Sequence, residues 1–335
     1  MTLAPQNPAP IFFTADSFNR RNFHLPKLLT LMDAPKPFDK ERAYSWYPGH
    51  MRKAEKRMAA DLRNVDAVLE IRDARLPRGS GNSELGKLIA NKPRLLIFNK
   101  AALADTALNR QWAAYFQQQE IPTLFMDAAS KSGLNLILPP LKRLTAPRAE
   151  SFRRRGIRPP PGRLMVIGMP NVGKSTFINR LVSRNRLKTE HLPGTTRGMT
   201  WVPLRDDFLL MDTPGVMLPR LDTERDALRL AWIGAIPDGV LGADRVVDSL
   251  LVALAGIPGG MNQVKRYYRI EIPPDTHPKM VLENICLKRG FKIAGGLPDL
   301  ARAADVVLKD FRDGRIGGFT FEAPGDLGKQ EGGEN

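Results

Sequence analysis

Three short motifs stand in this chain in an order that few folds permit. Asn99-Lys100 comes first, Gly168-Met169-Pro170-Asn171-Val172-Gly173-Lys174-Ser175 follows, and Asp212-Thr213-Pro214-Gly215 comes last. The middle segment fits GxxxxGK[ST]. Its glycines let backbone N–H groups wrap phosphates, and the following helix N-terminus adds positive potential. Lys174 is placed for the β- and γ-phosphates and Ser175 for Mg²⁺. Val172, Gly173 and Thr176 complete the cradle. A strand at 164–167 and a helix at 174–182 flank it, which is the setting this loop requires. In an ordinary domain of this kind the phosphate loop leads and the base-reading loop follows. The inverted order restricts the chain to a circularly permuted P-loop domain.

The surrounding pattern agrees. Short buried strands are predicted at 67–71, 94–98 and 123–126, with helices at 82–90 and 134–144 between and after them. Such alternation predicts an α/β fold, a doubly wound and mostly parallel sheet whose ligands bind at the carboxyl ends of the strands. Residues 199–204 and 208–211 read as paired strands around the Arg205-Asp206-Asp207 turn. The stretch 151–163 contains Arg153-Arg154-Arg155 and Pro159-Pro160-Pro161. It reads as punctuation, the join that closes the permuted order. Beyond residue 243 the pattern turns helical, with helices at 247–255, 278–288 (closed by Gly290) and 298–311 (stopped by Gly314). Residues 50–64 read as an amphipathic helix. The expected organisation is a tail over 1–43, a circularly permuted GTPase domain over 44–242, a small α-helical domain over 243–322, for which the resemblance given below implies RNA binding, and a disordered tail over 323–335.

Each motif carries its own chemistry. Asp212 can hold a Mg²⁺-bound water, and the Gly215 amide can sense a γ-phosphate. Thr196, in Pro193-Gly194-Thr195-Thr196, is the choice for a magnesium-binding switch threonine, with Thr195 as the alternative. Asn99-Lys100 opens a base-reading loop whose usual form is Asn-Lys-x-Asp. The aspartate of that form accepts two hydrogen bonds from guanine, yet Ala102 occupies its position. Asp105 lies three residues too far along for simple substitution. Ala129-Ser130-Lys131 occupies the place of a Ser-Ala-Lys motif, so the Ser130 amide is expected at guanine O6, with Lys131 beside it. Either base selectivity is loosened or the residue was substituted deliberately. An aspartate restored at 102 would then sharpen selectivity.

The net charge is +16, with the excess concentrated on 44–248. That implies an anionic partner larger than a nucleotide, such as RNA or the ribosome. Within the C-terminal part, 265–292 is the basic stretch. No apolar run approaches the roughly 18–20 residues that span a bilayer. The N-terminus lacks a signal-peptide pattern, and Cys286 is the single cysteine, which excludes internal disulfides. A cytoplasmic monomer without stable membrane association is expected, or one in the mitochondrial matrix if the source is eukaryotic.

Trp46-Tyr47-Pro48-Gly49-His50-Met51, Arg72-Asp73-Ala74-Arg75-Leu76-Pro77 and the permuted motifs belong together with two C-terminal signatures. These are Leu287-Lys288-Arg289-Gly290 and Asp310-Phe311-Arg312-Asp313-Gly314. Together they resemble the YlqF/RbgA ribosome-biogenesis GTPases, including their mitochondrial relatives. The resemblance runs from about residue 44 to 322, with Ala102 as its clear departure. It implies a GTPase that acts late in large-subunit assembly and contacts rRNA through its C-terminal helices. GTP would favour binding to the precursor particle, and hydrolysis would favour release. It also implies a catalytic role for His50, since Val216 stands where many GTPases carry a water-orienting glutamine. Asn171 resembles a K⁺ ligand of related GTPases, with loop stabilisation as its other reading. A nucleotide-gated RNA-binding module with weak hydrolysis, and a GTPase acting on another RNA, are the alternatives.

Overall fold

In the computed structural model the described residues are 60–81, 92–130, 134–182, 201–204, 207–212, 223–274 and 276–328, with positions 58, 86 and 89. Six strands form one sheet in the order β3-β2-β1-β4-β6-β5. They are β1 (Ala67–Asp73), β2 (Arg94–Asn99), β3 (Thr123–Phe125), β4 (Gly162–Gly168), β5 (Trp201–Leu204) and β6 (Phe208–Asp212). All neighbouring pairs are parallel except β5 and β6, which pair antiparallel as the sequence predicts. The register brings Asp73 beside Asn99 and Ile71 beside Gly168. Parallel strands end on one edge, so the loops after β1, β2, β3 and β4 gather there whatever their order in the chain. Permutation is tolerated because that edge, and not chain order, builds the site.

The sheet buries both faces. Along β2, Leu95 and Ile97 join the main core, while Leu96 and Phe98 point into a second cluster with Trp112 and Phe116. This is the period-two alternation of a strand sandwiched between layers. Trp112 and Phe116 lie four apart on α1 (Thr106–Gln118), whose first turn is capped by the Asp105 side chain accepting from the Leu108 N–H at 2.8 Å. Sequence reading passed over this helix, although an aspartate before apolar residues at helical spacing is its ordinary signature.

The helix α2 (Leu134–Arg154) corrects the expected boundary near 144. It runs through Pro147, and only 155–161 form the irregular join. Buried Ile137 and Leu141 anchor it, and Arg148 pairs with Asp66 at the entry to β1. These contacts outweigh the ladder hydrogen bonds that its prolines remove. The phosphate-loop helix α3 (Lys174–Val182) follows β4 as expected. Of the helices expected at 50–64 and 82–90, most lies outside the described residues.

The C-terminal part comprises α4 (Glu224–Trp232), a single turn α5 (Asp238–Leu241), α6 (Ala243–Ala255), α7 (Gly260–Tyr268), α8 (Pro278–Arg289) and α9 (Leu300–Arg312). Helices α4, α5 and α7 are absent from the sequence expectation. Val246, Leu250 and Leu254 of α6 sit in the same continuous core as Leu228 and Ala231 of α4 and Val307 and Leu308 of α9. Gly290 ends α8 in the left-handed conformation at φ 67°, the stop that only glycine adopts without strain.

Candidate nucleotide-binding site

The phosphate loop leaves β4 through Gly168, whose φ is 150°. A Cβ there would meet the Ile71 carbonyl at 2.3 Å, and one at Gly173 (φ 100°) would meet Asn99 Nδ2 at 2.2 Å. Both positions therefore require glycine, on conformation and on space. Val172 is fully buried, and Asn171 takes the left-handed conformation at φ 59°. The Lys174 ammonium donates to the Gly168 carbonyl at 2.8 Å and the Met169 carbonyl at 2.5 Å. The loop's own backbone thus holds the charge at its mouth. Ser175 and Thr176 open α3 with exposed side chains, where a metal-bound phosphate would reach them.

Asn99 ties the base-reading loop to the phosphate loop. Its Nδ2 donates to the Val172 carbonyl at 2.7 Å, and its Oδ1 accepts the Ala128 N–H at 2.7 Å. Three loops from three strand ends thereby share one side chain. Lys100, in the left-handed conformation at φ 59°, donates to the Asn171 carbonyl at 2.8 Å and pairs with Asp73 Oδ2 at 2.9 Å. Asp73 also takes a bidentate pair from Arg75, at 2.8 Å from both Nε and Nη2. Burial alone would raise the Asp73 carboxyl, but the two cations hold it below the usual carboxylate range. Burial lowers Lys100, opposed by Asp73. Sequence reading assigned Asp73 and Arg75 no role of their own. Their spacing within one turn after a buried strand was the available signal.

The other expected site residues are placed unevenly. Asp212 ends β6, beside Val166 of the phosphate-loop strand. His50, Lys131, Thr196, Gly215 and Val216 lie outside the described residues. Ser130 is exposed, but its amide closes a turn onto the Asp127 carbonyl at 2.9 Å. The expectation for its N–H at guanine O6 therefore meets a competitor. Ala129, one residue earlier, is exposed and its carbonyl accepts from Arg180 at 2.6 Å.

One contact leads out of the site. Asn171 Nδ2 donates to the Gly234 carbonyl at 2.6 Å, in the turn after α4. The same turn is gripped from the other side by Arg312 of α9. Its guanidinium donates to the Ala231 carbonyl at 2.6 Å and the Trp232 carbonyl at 3.0 Å and pairs with Asp238.

Residues 163–266 match the profile of the family described as 50S ribosome-binding GTPase. That span opens at β4 and omits 99–130, as it must when the base-reading loops precede the phosphate loop. Over 283 residues the chain is 36% identical to ribosome biogenesis GTPase A of Bacillus licheniformis, covering 84% of this chain and 99% of that protein. Over 293 residues it is 33% identical to mitochondrial ribosome-associated GTPase 1 of Mus musculus, covering 81% and 88%. The crystal structure of GNP-bound YlqF from Thermotoga maritima superposes with a TM-score of 0.58 at 25% identity, covering 81% of this chain and 98% of that one. With the glycine cradle, the Asn99 bridge and the permuted strand order all in place, the chain belongs to the YlqF/RbgA family of ribosome biogenesis GTPases.

Proposed function

We propose that this protein hydrolyses GTP during assembly of the large ribosomal subunit, binding precursor rRNA in its GTP state and leaving after hydrolysis. The observation that carries the reading is the hydrogen bond from Asn171 to the Gly234 carbonyl. It joins a phosphate-loop side chain to the turn that Arg312 fastens to α9. Trp232 at that turn also donates to Ser249 of α6 at 2.8 Å. A change in the phosphate loop thereby reaches the C-terminal helices through one short segment, the kind of discrete element a nucleotide switch biases.

The helices offer a surface suited to RNA. In the last turn of α8 and the loop that follows it, Lys288, Arg289 and Lys292 are exposed beside Leu287, Ile293 and Leu297. Cations for phosphate next to uncovered apolar side chains fit RNA in a ribonucleoprotein better than a purely solvated face. This supports an RNA-binding role for 243–322, with 44–242 as the GTPase domain.

In the loaded site, Lys174 would neutralise the β- and γ-phosphates. Ser175, Thr196 and Asp212 would hold Mg²⁺, which supplies charge neutralisation on the phosphate oxygens. The Asn171 side-chain oxygen, left over when its nitrogen bonds Gly234, would face K⁺. His50 would act on the attacking water, since Val216 cannot orient it. A single chain in the cytoplasm or the mitochondrial matrix suffices for all of these roles. The test is co-sedimentation of the full-length protein with purified large subunits, loaded with a non-hydrolysable GTP analogue or with GDP. Stronger association of the analogue form is expected, and equal association would reject the switch.

A further inference from the structure

The base-reading loop lacks its carboxylate at position 102, yet the fold brings another within hydrogen-bond reach of the backbone at that position. The Ala102 N–H lies 3.1 Å from Asp127 Oδ2 and 3.3 Å from Oδ1. An aspartate at 102 would hold its own carboxylate oxygens roughly 3–4 Å from that nitrogen, by covalent geometry. The other nearby carboxylates are committed elsewhere. Asp105 caps α1 through the Leu108 N–H at 2.8 Å, and Asp73 is enclosed by Arg75 and Lys100. Asp127 meets one backbone donor with two oxygens, and a carboxylate has about four acceptor sites. It is half-buried at the mouth of the turn that holds Ala128 against Asn99. Burial pushes its carboxyl upward against the pull of the Ala102 N–H.

We infer that Asp127, from the loop after β3, supplies the carboxylate that reads guanine in place of the one missing at position 102. The inference rests on the guanine-nucleotide reading of the site above. Guanine presents N1–H and the 2-amino group side by side, and one carboxylate accepts both. Adenine presents a bare N1 and a C–H there, so the same carboxylate rejects it. The substitution at 102 then moves the reading group across the site and leaves selectivity in place.

The test is competition binding of GTP, XTP and ATP against labelled GDP on the full-length protein. Asp127→Asn keeps an oxygen for the Ala102 N–H, so the loop stays capped. Its amide nitrogen faces the 2-amino group of guanine but donates to the 2-oxo group of xanthine. GTP is expected to weaken by roughly ten- to a hundredfold, the scale of a lost charge-assisted contact, while XTP gains. Asp127→Ala is expected to lose discrimination between GTP and ATP, and adding Ala102→Asp to it is expected to restore it. Ala102→Asp alone sets two carboxylates together and is expected to weaken GTP. Unchanged GTP and XTP affinities in Asp127→Asn, or no recovery in the double variant, would overturn the inference. Binding of GTP and ATP alike by the unaltered protein would also overturn it, with the nucleotide site intact. A protein that binds neither nucleotide would remove the reading of the site itself.

Discussion

The indole Nε1–H of Trp112 donates to the Glu322 carbonyl at 2.9 Å, across 210 residues of chain. Around this bond the last described segment lies across the loops that follow β1 and β2. The Phe319 N–H donates to the Leu103 carbonyl at 2.9 Å, and the Phe321 N–H to the Arg75 carbonyl at 3.0 Å. Thr320 Oγ1 accepts the Asp105 N–H at 2.9 Å. The Glu322 carboxylate accepts the amides of Arg78 at 2.7 Å and Gly79 at 3.0 Å. Phe319 and Phe321 pack with Phe311, and Phe321 also with Trp232. The end of the helical part is thus a strap over the base-reading side of the GTPase site.

Glu322→Ala removes the acceptor for two backbone N–H groups. A cost of roughly 1.5–3 kcal/mol is expected, as for hydrogen bonds to a charged group. Ending the chain at residue 318 is expected to cost more, because two buried phenylalanines go as well. Urea unfolding measures both. Hydrogen exchange at the Trp112 indole is expected to speed up in each. Unchanged exchange would mean the strap does not hold this loop closed.

Gly173→Ala places a methyl group 2.2 Å from Asn99 Nδ2 and forces a non-glycine residue to a φ of 100°. Loss of the Asn99–Val172 bond and of nucleotide binding is expected. Backbone strain of this kind costs about 1–3 kcal/mol, so the fold survives in a protein of ordinary stability. Lys174→Ala is expected to abolish productive binding with less structural cost. Calorimetric titration with GDP, beside thermal unfolding, separates the two effects.

Asp73 gives the stability a pH dependence of defined sign. Its folded carboxyl is held below its unfolded value of 3.8. The contribution is therefore fully present above about pH 5, and it is lost as the pH falls through 3.8 toward the folded value. Asp73→Asn is expected to remove this dependence. At neutral pH it leaves Arg75 buried without its anion, at a cost of about 3–5 kcal/mol. Unfolding measured from pH 7 down to pH 3 for both proteins checks the sign.

The phosphate loop was legible residue by residue, because glycine at 168 and 173 and lysine at 174 answer to local geometry. The strands were legible because β1, β2 and β4 are short apolar runs buried on both faces. The extension of α2 was not, because Pro147 argues against helix while the buried Thr145 and the Arg148–Asp66 pair act through tertiary contacts. Asp127 escaped notice for a related reason. Nothing in its neighbourhood along the chain marks it, and its relation to Ala102 exists only once β2 and β3 pair. Glu322 likewise gains its role from residues far back in sequence.

Intrinsic hydrolysis is expected to be slow, on the order of 10⁻⁴ to 10⁻² s⁻¹, the range of unassisted GTPases. Large subunits are expected to accelerate it, and K⁺ to outperform Na⁺. Asn171→Ala would remove both the oxygen proposed for K⁺ and the bond to Gly234. It is expected to abolish the salt preference and to reduce the difference between nucleotide states in subunit binding. Phosphate release followed in K⁺ and Na⁺ buffers tests the first effect, and equal rates for the unaltered protein would reject the K⁺ role.

Deleting the helices from residue 243 would be a poor test of RNA contact. It would uncover Trp232 and Leu228 and remove the Glu322 strap, so lost binding could reflect lost folding. Charge reversal on this patch at the end of α8 is cleaner, since Lys288, Arg289 and Lys292 are all exposed. Each phosphate contact releases counterions, so affinity for the large subunit falls steeply with salt. Changing the three residues to glutamate is expected to weaken association at low salt. It is also expected to flatten the slope of log K against log salt by about one for each lost contact. GTP hydrolysis without ribosomes is expected to stay at its basal rate, because the patch lies outside the nucleotide site. Sedimentation at several salt concentrations, with basal hydrolysis measured alongside, separates a lost RNA contact from a damaged enzyme. An unchanged slope in the triple variant would place the RNA-binding surface elsewhere on the protein.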